Sequence, residues 1–156
     1  MIYLFDWGNT LMVDFPHAQG KMCDWEHVET VPQAKETLAQ LTQDHQVYIA
    51  TSASDSAMED VQKAFQRVGL DQYLSGYFCF ANLGIAKNQP DFYLTVAKQL
   101  GVEPSQLTMV GDLPEKDIYP AMDAGLNIVW FNPQDFPAPN KPIPNQIRCL
   151  SELLST

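Results

Sequence analysis

Short apolar runs alternate along the chain with segments whose apolar residues recur every three or four positions. Residues 2–6 predict a strand, followed by an irregular stretch to about 31. Residues 33–43 predict a helix that sets Ala34, Leu38 and Leu41 on one face. A strand is predicted at Val47–Ala50, then a helix over 55–68 through Met58, Val61, Ala64, Phe65 and Val68, with Gly69 as its stop. Tyr77–Ala81 predicts a short strand, and residues 90–100 a helix opened by Pro90 and closed by Gly101. Leu107–Val110 predicts a strand, residues 115–124 a helix ended by Gly125, and Asn127–Phe131 a strand. Prolines 133, 137, 139, 142 and 144 mark residues 133–145 as an extended connection. Ile147–Leu150 predicts a last short strand and Ser151–Leu154 a helical turn. Strands alternating with helices argue an α/β fold, a doubly wound parallel sheet between two helical layers.

With 156 residues and no internal repeat, the chain is expected to be a single domain over 1–156. No apolar run is long enough to span a bilayer, and the start lacks a basic signal-peptide region, so no membrane and a cytoplasmic location are expected. Cys23, Cys79 and Cys149 are far apart and form no CxxC pair, which argues against a disulfide framework or a zinc site. His17, His27 and His45 show no metal-ligand spacing. A net charge of −10 disfavours binding to the phosphate backbone of nucleic acid. It also opposes anionic substrates at long range, so local cations or a metal must draw them in.

Three predicted strands end in polar residues: Asp6, Thr51-Ser52 and Asp112. In a parallel sheet these ends share one edge, where open α/β folds bind ligands. Lys87 lies in the loop before the helix opened by Pro90. A carboxylate nucleophile, a hydroxyl, a cation and a second carboxylate suit phosphoryl transfer: hydroxyl and lysine hold phosphate oxygens, and paired carboxylates hold a hard cation. Taken singly, each has a plainer reading. Asp6 is then a strand-end turn residue, Thr51 and Ser52 helix caps, Lys87 a solvated lysine, Gly111-Asp112 a turn. Trp7 reads as packing. Asp117 is either a first-turn helix acid or a partner supporting Lys87 or the metal, the second being favoured.

The order of these motifs resembles the haloacid dehalogenase-like (HAD) superfamily. Asp6-x-x-x-Thr10 resembles its first motif, Val47-Tyr-Ile-Ala-Thr51-Ser52 its second, and Lys87-Asn-Gln-Pro-Asp-Phe-Tyr its third. Val110-Gly111-Asp112-Leu-Pro-Glu-Lys-Asp117 resembles the fourth, with Ala121-Met-Asp-Ala-Gly-Leu after it. The resemblance implies catalysis by Asp6, Thr51 and Lys87 through an aspartyl-phosphate. It implies phosphate binding by Asn9, Thr51, Ser52 and Lys87. It also implies Mg2+ held by Asp6, the Gly8 carbonyl and Asp112.

One departure stands out. The family's first motif carries a second Asp, the general acid/base, where this chain has Gly8. The gap from Leu11 to about Gln33 suffices for a short flap over 12–31, and no cap domain is expected. Capless members of the superfamily act on large substrates or cover the site by oligomerising. The expected partner is therefore a phosphorylated small molecule or macromolecule, with a homo-oligomer possible. Alternatives are a dehalogenase- or phosphonatase-type hydrolase, whose members also lack that Asp, or a phosphate- and metal-binding regulatory domain without turnover. The Asp-Trp start is similar to that of phosphonoacetaldehyde hydrolases, but their cap lysine has no room here. Dehalogenases can dispense with a fourth-motif Gly-Asp, which this chain keeps.

Overall fold

Side chains alternate between the two faces of a strand, and a parallel sheet must bury both. The computed structural model describes residues 1–51 and 57–155. Its strands are β1 (Ile2–Phe5), β2 (Gln46–Thr51), β3 (Gly76–Cys79), β4 (Leu107–Gly111), β5 (Asn127–Phe131) and β6 (Gln146–Ile147). They form one sheet in the order β3-β2-β1-β4-β5-β6, every pairing parallel. The helices are α1 (Ala34–Leu41), α2 (Met58–Arg67), α3 (Phe80–Leu83), α4 (Pro90–Leu100) and α5 (Tyr119–Asp123).

Alternation along the strands divides the interior into two cores. Phe5, Ile49 and Val110 pack in one cluster with Leu38 of α1 and Phe65 of α2. Their strand neighbours Leu4, Ala50 and Met109 pack in the other with Phe92 and Val96 of α4 and Ala121 of α5. The chain winds outward from β1 through β2 to β3, then returns to the far side of β1 and continues through β4 to β5 and β6. Right-handed crossovers in the two directions put the helices on opposite faces. The order therefore reverses between β1 and β4, the place where such sheets bind ligands.

Residues 11–31 form the flap. Val13 N–H donates to Glu29 O at 2.9 Å and Val31 N–H to Leu11 O at 2.8 Å, an antiparallel pair that folds the segment back on itself. Lys21 pairs with Asp60 of α2 at 2.9 Å, and Arg67 of α2 donates to the carbonyls of Cys23, Trp25 and Glu26. The flap is thus pinned to α2. Among the described residues no cap domain is evident, and no described helix is long and apolar enough to cross a membrane.

Three expected elements need correction. The strand expected at Tyr77–Ala81 stops at Cys79, where Asn82 Oδ1 accepts the Cys79 N–H at 2.8 Å and turns the chain into α3. The last strand is Gln146–Ile147 rather than Ile147–Leu150, and Leu150 already opens a 3-10 turn that runs to Ser155. The single helix expected over 115–124 is a π-helical stretch, Pro114–Ile118, followed by α5. Pro120 has no N–H to give the Lys116 carbonyl four residues earlier. The hydroxyl of the buried Tyr93 donates to that carbonyl instead, at 2.8 Å.

Candidate active site

Asp6 is the first residue past β1. Its N–H still donates to Val110 O of β4 at 2.9 Å, so the main strand ladder fixes its backbone. A tight turn follows, with Leu11 and Met12 N–H groups both donating to Trp7 O and Asn9 N–H donating to Met12 O. Asn9 carries the turn's positive φ, 61°, a region that Asn tolerates better than most side chains. Gly8 is outside that region, and its carbonyl takes part in neither kind of bond. The turn brings the Thr10 hydroxyl to 3.2 Å from Asp6 Oδ2 and 3.3 Å from Asp112 Oδ1, so one proton is shared between two carboxylates.

Lys87 is buried at 2% exposure. Its Nζ lies 2.6 Å from Asp6 Oδ1 and 2.6 Å from Asp117 Oδ1, and donates to Ala50 O at 3.1 Å. Asp117 is fully buried, and its Oδ2 accepts the Leu113 N–H at 3.0 Å. Gly111 is required for this packing, because a Cβ there would overlap the Asp117 carboxylate. Asp112 is held through its backbone: Trp130 Nε1 donates to its carbonyl at 3.1 Å.

Burial alone would raise the Asp6 pKa, but the Lys87 charge, with hydrogen bonds from its neighbours, holds it below the usual carboxylate range. Burial would likewise discharge Lys87, yet Asp117 and Asp6 keep it charged and push its pKa above the usual lysine value. The other two acids are pushed up. Asp112 reaches about 8, through burial first and then contact with Asp6 and the charges of Asp6 and Asp117. Asp117 reaches about 6, from burial and the Asp6 charge, partly offset by Lys87.

Oxygens of Asp6, Asp112 and Asp117 lie within 4.8 Å of one another. With all three acids ionised, three carboxylates against one ammonium would leave two negative charges, the charge of one divalent cation. An all-oxygen donor set suits a hard cation such as Mg2+. Asp117 is already committed to Lys87 and the Leu113 amide, which leaves Asp6 and Asp112 as the acids facing such an ion.

Four of the residues singled out from the sequence, Asp6, Lys87, Asp112 and Asp117, therefore converge at the switch point. Thr51 ends β2, buried, one residue after the carbonyl that holds Lys87. Ser52 lies outside the described residues. The Asn9 side chain uses its Oδ1 to accept the Asp14 N–H at 3.0 Å, so any phosphate contact would fall to its Nδ2. Sequence reasoning did not find the Ala50 carbonyl or the Trp130 bond, since a main-chain acceptor and an indole in a strand carry no motif.

A cavity of about 850 Å³ opens beside this cluster. Asn9, Asp14 and Asp112 line one part of it, and Trp130, Phe136, Pro137 and Arg148 another. The proline-rich tail thus contributes an apolar wall. Its shape is held by Asn132, whose side chain bonds both the N–H and the C=O of Phe136, and by an Arg148–Asp135 pair at 2.6 Å.

Residues 3–125 match the family of haloacid dehalogenase-like hydrolases. The chain belongs to that family. It is 28% identical over 105 residues to the glyceraldehyde 3-phosphate phosphatase of Pyrococcus furiosus, which covers 67% of this chain and 43% of that protein. The chain thus spans under half the length of this relative. The 2-haloacid dehalogenase of Pseudomonas syringae pv. Tomato DC3000 superposes with a TM-score of 0.71 at 28% identity, over 83% of this chain and 53% of that one. An uncharacterized protein from Listeria monocytogenes serotype 4b superposes with a TM-score of 0.84 at 22% identity, over 99% of this chain and 94% of that one, a likeness of fold. Within the HAD-like family, then, both phosphatases and dehalogenases resemble this chain, and the choice between them rests on the site.

Proposed function

We propose that this HAD-like hydrolase is a phosphohydrolase that works through an aspartyl-phosphate on Asp6, with Mg2+ held by Asp6, Asp112 and the Gly8 carbonyl. The observation that carries the reading is the closeness of Asp112 to Asp6 beside a single lysine. A second carboxylate facing the nucleophile repels a departing halide. It is useful where a cation and a phosphoryl group share the site.

In this reading the Asp6 carboxylate, kept ionised by Lys87, attacks phosphorus and displaces the leaving-group oxygen. The Lys87 ammonium offsets negative charge as the phosphoryl group approaches. Thr51, Ser52 and the Asn9 amide donate to its oxygens. Asp117 keeps Lys87 charged and oriented. Mg2+, when bound, neutralises charge on the phosphoryl oxygens. Water then hydrolyses the intermediate and frees Asp6. With no cap evident among the described residues, the phosphorylated substrate, small molecule or macromolecule, enters an open site, or a second copy covers it.

The test is release of phosphate from 4-nitrophenyl phosphate with and without magnesium, with Asp6→Asn as control. Magnesium-dependent turnover that Asp6→Asn abolishes is the expected result. Turnover unchanged in Asp6→Asn rejects the mechanism. A chain that binds magnesium and vanadate without turnover is instead a binding domain.

A further inference from the structure

Gly8 stands where the first motif of the superfamily that the chain resembles carries its general acid, and the side chain nearest that place is another aspartate, Asp14. The three atoms nearest a Cβ built on Gly8 all belong to Asp14, its Cβ at 3.3 Å, its Oδ2 at 3.5 Å and its Cγ at 3.7 Å. Gly8 has no positive φ, so backbone conformation does not account for the glycine. The neighbour is what a side chain at 8 would meet first, since its Cβ would crowd the Asp14 Cβ by a few tenths of an ångström and touch the Asp14 carboxyl group.

Asp14 arrives there from the flap. The Val13–Glu29 bond places the strand just before it, and Asn9 Oδ1 accepts its own N–H at 3.0 Å, so the turn that carries Asp6 also holds Asp14. Asp14 lines the same cavity as Asp112. It is exposed, and among the described residues it makes no ion pair. The flap is held by Lys21–Asp60 and Arg67 instead, so the Asp14 carboxylate is not needed to fold it.

We propose that Asp14 is the general acid and base of this site, a carboxylate supplied by the flap in place of the one absent at position 8. This rests on the phosphohydrolase reading above. As Asp6 attacks, the bond from phosphorus to the leaving-group oxygen breaks, and that oxygen takes the proton of the Asp14 carboxylic acid. The resulting Asp14 carboxylate then takes a proton from the water that attacks the aspartyl-phosphate. Asp14 is thereby returned to its acid form, and Asp6 leaves as a carboxylate. No other reactant is consumed.

Glycerol 2-phosphate, whose alkoxide must be protonated, and 4-nitrophenyl phosphate, whose phenolate departs unaided, separate this role from others. Wild type, Asp14→Asn, Asp6→Asn and the double variant Gly8→Asp/Asp14→Ser are assayed with magnesium, and magnesium affinity is measured on the same preparations. In a single turnover, Asp14→Asn should slow release of glycerol by about 10²–10⁴-fold and release of 4-nitrophenolate by less than about tenfold. Steady-state phosphate release from both esters should fall because the shared aspartyl-phosphate has lost its base, with magnesium affinity unchanged. The double variant, which moves the carboxylate back to position 8, should recover part of the alkyl-ester activity. Asp14→Asn that leaves turnover of glycerol 2-phosphate unchanged, or that slows the first-turnover cleavage of both esters equally, overturns the proposal, while the dependence of turnover on Asp6 still stands. A wild type that cleaves only the aryl ester overturns it as well. A wild type no more active than Asp6→Asn overturns the phosphohydrolase reading and this role with it.

Discussion

Lys87 Nζ lies 2.6 Å from Asp117, a carboxylate with no exposure to solvent, and the same distance from Asp6. Removing one partner of a buried ion pair leaves an uncompensated charge, at a cost of about 3–5 kcal/mol. Lys87→Ala should therefore lower the unfolding free energy from urea melts by an amount in that range, with a lower midpoint, as well as weaken vanadate binding. A variant that loses vanadate while its midpoint stays put would show that the lysine supports only the ligand.

Gly111 leaves room for the Asp117 side chain. Gly111→Ala should force that carboxylate aside and destabilise the fold by about 1–3 kcal/mol, the usual range for overpacking. It should also blunt Asp6-dependent turnover, because Asp117 orients Lys87. Thermal unfolding and the aryl phosphate assay test both effects. An unchanged melting temperature would count against the close packing.

The pH response has a definite sign. Asp112 and Asp117 have folded pKa values of about 8 and about 6, above the ordinary 3.8. Between about 4 and about 8 the metal-free folded chain binds more protons than the unfolded one, so these groups make its stability fall as pH rises through that window. Asp6 acts in the opposite sense, since its lowered pKa gives stability that is lost only as pH falls below 3.8. On the proposed ligand set magnesium binding requires Asp112 ionised, so its affinity should rise as pH approaches 8, and Asp112→Asn should flatten that rise. Calorimetric titrations at several pH values read the affinity. Magnesium should also restore stability most at the alkaline end.

Tyr93 satisfies the Lys116 carbonyl that Pro120 leaves without its helical partner. Tyr93→Phe should cost about 1–3 kcal/mol for the unsatisfied carbonyl. Adding Pro120→Ala supplies the missing N–H and should return part of the loss. Denaturant unfolding of Tyr93→Phe, Pro120→Ala and the double variant measures this, and purely additive losses would sink the account.

The strand–helix alternation was legible because each element carries its own period, and the predicted bounds of α4 and β5 match the structure. The convergence of Asp6 and Asp112 followed from strand ends, since a parallel sheet sends them to one edge, whereas Lys87 and Asp117 joined them through the order of the motifs. What escaped depended on contacts between distant parts of the chain. Pro120 marks the break in the helix expected over 115–124, but the group that answers the Lys116 carbonyl, Tyr93, lies 23 residues away. Burial of Lys87 was invisible because a lysine in a polar loop reads as solvated. The gap at Gly8 read as a missing group because its occupant, Asp14, comes from a flap whose fold-back is set by main-chain bonds to Glu29 and Leu11.

Because β1 is bonded on both sides, by β2 and β4, the backbone that carries Asp6 can open only when the sheet itself comes apart. The amide of Asp14 is held by one side-chain oxygen at the surface. The two carboxylates therefore keep different time. Amide hydrogen exchange at Phe5 should run at the rate of global unfolding, while at Asp14 it should run orders of magnitude faster, so that any movement accompanying a turnover belongs to the flap and never to the nucleophile.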